Sequence, residues 1–214
     1  AGSITQEGIT NVIKAGGADI WGSSDGGFFY YTVSEAPIWT AVVRVHDLVS
    51  KGSEWGKCEL MVRMDQGTGA PEATDAFIAE MTTQPSSYTV DSGATGVNWV
   101  VDQFRTVASG NADWLHDNKW NPEIGNNGGA GNPAPSYPNR WMKLSRMGPV
   151  FKTYDSTDGT TWNCSSVIDT SSPGAQPVGN DGGTTFTTTP WLSRPRRLAF
   201  TRQSATTAAC ACGS

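Results

Sequence analysis

The stretch WMKLSRMGPVFKTYDSTDGTTW, Trp141–Trp162, carries four aromatic residues (Trp141, Phe151, Tyr154 and Trp162) and no histidine, glutamate or cysteine. It reads as a long β-hairpin, with Asp158-Gly159 as its strongest turn signal. Aromatic residues without accompanying chemistry point to a packed core or to a binding surface.

Outward from this hairpin the pattern stays that of strands. Runs of β-branched and aromatic residues, separated by Gly, Pro, Asn and Asp, predict strands at residues 11–15, 19–21, 28–33, 38–45, 57–64, 77–82, 98–106, 140–146, 150–155, 161–164, 197–201 and 207–212. In IWTAVVRV, residues 38–45, one face is Trp39, Ala41, Val43 and Val45. That face is uniformly apolar, as a strand covering a core requires. Only EWGKCELMV could be argued as helix, and Gly52 and Gly56 weigh against it. The chain is therefore expected to be all-β, and 214 residues suit one domain over 1–214.

Two segments break the rhythm: residues 109–139, with Trp114, Trp120 and Tyr137, and residues 171–197, with Phe186 and Trp191. Loops of this length are usually functional or disordered. Both are read as insertions into the strand framework.

Charged residues make up 16% of the chain and the net charge is −5. Nucleic acid is excluded as a partner, because phosphate binding needs clustered Lys and Arg. The one dense basic stretch, RPRR at residues 194–197, reads as a solvated turn. No apolar run is long enough to span a membrane. The opening AGSITQ is of the kind left after signal-peptide cleavage, so a secreted or cell-surface chain is expected. Four cysteines, Cys58, Cys164, Cys210 and Cys212, allow three pairings. Cys210 and Cys212, two apart on a strand, share a face and are poorly placed to bond each other. Structural disulfides and buried free thiols are both open readings.

The order of motifs adds a further expectation. DIWG at residues 19–22, KCELMVR at 57–63, WMKLSRMG at 141–148 and STDGTTW at 156–162 follow one another. This series resembles the bacterial concanavalin A-like, laminin-G-like jelly-roll family, of the type described as similar to a regulator of enolase. The resemblance runs from about Ile4 onward and leaves the two long loops as insertions. It implies a two-sheet antiparallel β-sandwich, found as a module of secreted or surface proteins, with no established catalytic residues and with the motif tryptophans Trp21, Trp141 and Trp162 in the core. Members usually carry a small residue where Cys58 stands, and lack the Cys210/Cys212 pair. A bridge from the last strand to Cys58 or Cys164 would be a local addition.

Chemistry is sparse. Jelly-roll glycosidases need carboxylates alternating along one strand to flank the sugar, and no E-x-D-x-E pattern occurs. Glu59 and Asp65 share a face but read as strand-end carboxylates in solvent. His46 and His116 stand alone. No catalytic residue is named and no cofactor is required. Calcium is the one metal for which oxygen donors gather, at Asp113, Asp117 and Asn118 and at Asn180 and Asp181, without a calcium-loop pattern. Asn163-Cys164-Ser165 is an N-glycosylation sequon, and a Thr cluster at residues 184–189 offers O-glycan acceptors. Trp114, Trp120, Tyr137 and Trp191 stand among Gly, Asn and Asp, the composition of a sugar-binding surface. The bland alternative is that these rings pin the loops to the sandwich. Two functions remain: a non-catalytic module that binds extracellular polysaccharide, or a structural subunit that assembles with copies of itself into a filament or surface layer.

Overall fold

The computed structural model describes residues 2–49, 56–64, 71–83, 100–115 and 137–171, together with the strand backbones 178–179, 198–200 and 206–211. Every element among them is a strand. An eight-stranded sheet runs in the spatial order β1 (Gly2–Glu7), β2 (Thr10–Ala15), β14 (Thr206–Ala211), β4 (Ile38–Val45), β9 (Arg140–Met147), β10 (Val150–Ser156), β11 (Asn163–Asp169) and β12 (Val178–Gly179). A six-stranded sheet runs β3 (Thr32–Ser34), β13 (Leu198–Phe200), β5 (Lys57–Met64), β6 (Phe77–Thr83), β7 (Val100–Arg105) and β8 (Asp113–Trp114). The architecture is β-sandwich-like. Pairing is antiparallel except at β14, which lies parallel to both β2 and β4. A wholly antiparallel arrangement therefore does not hold.

The opening stretch forms the β9–β10 hairpin and the turn into β11. Met147 faces Val150 across a two-residue turn of Gly148 and Pro149. Gly148 has φ 61°, and a glycine of positive φ at the first central position matches the twist of the flanking strands. At the other end Asp158 accepts hydrogen bonds from the Thr160 and Thr161 amides, both at 2.7 Å. These amides hold its carboxyl below the usual carboxylate range. Gly159, at φ 75°, completes that turn.

One core serves both sheets. Ala41, Val43, Val45, Met142, Leu144, Phe151 and Ile168 of the larger sheet meet Cys58, Leu60, Val62 and Ile78 of the smaller one. Trp39 packs against this cluster, so the apolar face expected for residues 38–45 is the buried one. Along β9 the inward positions are Met142 and Leu144, which turns Trp141 and Lys143 outward.

That alternation overturns the core assignment of the tryptophans. Trp141 is half-buried on the outer face, with the Arg44 guanidinium 5.2 Å from its ring centroid. Trp162 is likewise half-buried and, with Tyr154, encloses the Lys143 ammonium at 4.1 and 4.0 Å. Trp21 is 45% exposed. Residues 19–21 and 28–31 are not strands either. They belong to a segment that covers the outer face of the six-stranded sheet.

Beside the apolar core the space between the sheets is polar. Glu80 on β6 lies opposite Asp102 on β7, and both side chains are buried with Thr153, Asp155, Ser165 and Ser166. The Thr153 and Ser166 hydroxyls bond at 2.7 Å, and Asp155 accepts from Asn163 Nδ2 at 2.8 Å and from Ser165 Oγ at 2.9 Å. Burial, reinforced by Asp102 and Asp155, pushes Glu80 well above the usual carboxyl range. Burial also raises Asp102 to about 6.

Candidate functional site

The site is built where the segment after β2 folds back over β5, β6 and β7. Gly17 lies so close to Gly26 that a Cβ there would meet the Gly26 carbonyl at 2.0 Å, and the Gly26 amide donates to the Asp19 carbonyl at 2.6 Å. Only glycine allows that approach. The tightened loop presents Asp25 to two arginines on the sheet. Asp25 accepts from Arg63 and, at 2.6 Å, from Arg105. All three side chains are at most 5% exposed. Phe77 lies beneath, 5.1 Å from each guanidinium. Ile20 and Phe29 then close over Met61, Phe77, Ala79 and Ala112.

At the opposite end the segment leaves a cleft of about 240 Å³. Met81 and Thr83 on β6 line it together with Lys57 and Gln103. Its remaining walls are Asp19, Trp21 and, from β8, Trp114. Lys57 Nζ bonds Asp19 Oδ1 at 2.8 Å and the Ile20 carbonyl at 2.9 Å. Gln103 Nε2 donates to the same carbonyl at 2.5 Å. Trp21 and Trp114 meet edge to face, with centroids 6.1 Å apart and planes at 68°. Aromatic walls with a few convergent polar groups are the usual build of a small-molecule site.

Glu59 stands two residues beyond Lys57 on the same face of β5. It is not in solvent as its sequence position suggested: its side chain is 3% exposed, and its nearest cation, Lys57 Nζ, is 3.9 Å away. Burial raises its pKa to about 7, against the opposing pull of Lys57 and Arg63. Such an acid exchanges a proton near neutrality.

Of the aromatic residues singled out by sequence, Trp114 lines the cleft and Tyr137 does not. Tyr137 is turned inward: its hydroxyl donates to the Thr83 carbonyl at 2.9 Å and its ring lies 4.0 Å from the Arg140 guanidinium. Trp120 and Trp191 lie outside the described residues. Among the possible calcium donors, Asp113 belongs to β8, and Asp117, Asn118, Asn180 and Asp181 lie outside the described residues. No group of three acidic, His or Cys side chains is placed to hold a metal among the described residues. Asn163 is half-buried and donates one hydrogen of its side-chain amide to Asp155 at 2.8 Å. Cys58 is disulfide-bonded, its partner lying outside the described side chains, and Cys164 is a free thiol. The Cys210 and Cys212 side chains also lie outside the described set. Reading the sequence missed Trp21, Lys57, Gln103 and Glu59 as site residues. The usable signal was the alternation Lys57, Glu59 on the face of β5 opposite the core.

No family model, curated protein or solved structure matches the chain.

Proposed function

We propose that the chain is a non-catalytic extracellular module of concanavalin A-like jelly-roll type, and that its cleft holds a saccharide. The observation that carries this reading is the pair of tryptophans, one 45% exposed, set beside the Gln103 amide and the Thr83 hydroxyl in one cleft. A pyranose offers an apolar face to such rings and hydroxyls to such polar groups. The disulfide at Cys58 supports an oxidising compartment, and the ordered motifs of the sequence support the fold family. Affinity electrophoresis through a panel of neutral and acidic polysaccharides tests the proposal. Trp21→Ala is expected to weaken retention about tenfold, the equivalent of about 1.4 kcal/mol, while leaving thermal stability near that of the parent. Unchanged retention in that variant would sink the assignment.

Self-assembly is the second reading. Ile38 and Met147 are cross-strand neighbours, 71% and 64% exposed, and among the described residues β1 is a sheet edge that pairs only with β2. An uncovered edge is a template for another strand. A sedimentation profile of a concentration-independent monomer would exclude this reading.

A further inference from the structure

We propose that Lys57 and Asp19 become joined by an intramolecular amide bond, with Glu59 carrying the protons. The inference does not rest on saccharide binding. It starts from Lys57 and Asp19, which line the cleft, and from Glu59, buried beside Lys57 on β5. Lys57 Nζ is 2.8 Å from Asp19 Oδ1. Its other donors are directed to the Ile20 carbonyl at 2.9 Å and Gln103 Oε1 at 3.4 Å. The Asp19 carboxyl is itself fixed, because Oδ1 accepts from the Ile20 amide at 2.7 Å. The carboxyl carbon lies one bond beyond that oxygen, so the nitrogen is within reach of a near-attack separation of about 3–3.5 Å.

The third group distinguishes this pair from a surface salt bridge. Both Glu59 carboxyl oxygens are buried and have no hydrogen-bond partner among the described residues, and Oε1 is 3.9 Å from the lysine nitrogen. An unbonded buried carboxyl is costly. A role as proton carrier gives it a purpose that packing does not. The Lys57 side chain is 11% exposed and Asp19 45%, so the nucleophile is sheltered while the leaving oxygen faces an exit to water.

The step balances within the ion pair. Glu59 takes one proton from the Lys57 ammonium and passes it to the Asp19 carboxylate, leaving a neutral amine beside a neutral carboxylic acid. The nitrogen lone pair attacks the Asp19 carboxyl carbon, forming the C–N bond. One C–O bond then breaks. The departing oxygen leaves as water with two protons originally on nitrogen, passed through Glu59, which ends as it began. Nothing is oxidised or reduced. Amide formation is unfavourable between free partners in water, but fixed neighbours react at effective molarities of about 10⁵–10⁸ M. The bond would fasten the covering segment to β5 at the end opposite Asp25.

Intact mass spectrometry of the full chain, denatured and fully reduced, reads the bond directly. The expected mass is one water below that of the sequence, with a branched peptide linking the Asp19 and Lys57 fragments after proteolysis. Glu59→Gln and Lys57→Arg should each restore the full sequence mass. Glu59→Ala serves the same purpose if the Gln variant does not fold. A folded parent chain of full mass overturns the proposal. So does loss of water that persists in Lys57→Arg, which would signify cyclisation at Asp19 alone.

Discussion

Asp25 is the residue on which the covering segment depends most. One carboxylate answers two guanidinium groups that the sheet holds out of water. Removing one partner of a buried pair costs about 3–5 kcal/mol, because the remaining charge is stranded. Asp25→Ala is therefore expected to lower stability to chemical denaturation by about that amount, and to open the Trp21 cleft by releasing its wall. A loss below about 1 kcal/mol would show that water reaches Arg63 and Arg105. Nothing in the local sequence discloses this arrangement. Asp25 sits in a Gly-rich loop of ordinary appearance, and its arginines come 38 and 80 positions later. The same distance in sequence explains why Glu59 was read as solvated: two of the charges that act on it, Asp19 and Asp25, belong to the covering segment. Trp21 goes astray in the reverse direction: its place in a family-like motif reads as core, and the fold sets it in the cleft wall, 45% exposed.

Among elements, the two turns of the β9–β10–β11 unit separate backbone strain from packing. Gly148 and Gly159 both have positive φ, but a Cβ at Gly148 meets nothing within 4 Å whereas one at Gly159 meets the Trp141 ring at 2.9 Å. Gly148→Ala should cost about 1–2 kcal/mol, the left-handed penalty for an L-residue. Gly159→Ala should cost measurably more, since the ring must also shift. Equal urea midpoints for the two variants would mean that Trp141 moves freely. The limits expected for β4 and β5 coincide with those observed, because their inward faces are apolar. β11 extends to Asp169, five residues beyond expectation. Its inward positions include Ser165 and Ser166, directed into the polar part of the interior, so the apolar alternation that marks a strand is absent. β1 was missed for a related reason: it is an exposed edge strand and covers little.

For the whole molecule, three buried acids set a pH dependence of definite sign. Glu59 and Asp102 are raised to about 7 and about 6, and Glu80 is raised as well. A carboxyl raised by folding binds its proton more tightly in the native state. Its contribution is complete below the unfolded value near 4 and is lost as pH climbs through the folded value. Stability should thus fall between about pH 4 and pH 7, by up to ~1.4 kcal/mol per pH unit for each group. Urea unfolding across that range measures the slope, and Glu80→Gln should reduce it. A stability that rises steadily over the same interval would contradict the burial of these acids. Asp158 acts in the opposite sense and only at lower pH, since its carboxyl is depressed. The all-β character and the apolar inward face of β4 were legible in the sequence, whereas the acidic part of the interior was not. Its residues look like solvent-facing positions of ordinary strands.

The parallel placement of β14 bears on the order in which the chain is made. β2 and β4 never touch as sheet neighbours, because the strand between them is β14. A ribosome delivers that strand some 160 residues after β4. Until then the larger sheet consists of an isolated two-stranded ribbon and a separate block, each with an unsatisfied edge facing the same gap. Vectorial synthesis therefore leaves β2 and β4 without the strand that joins them until β14 is made.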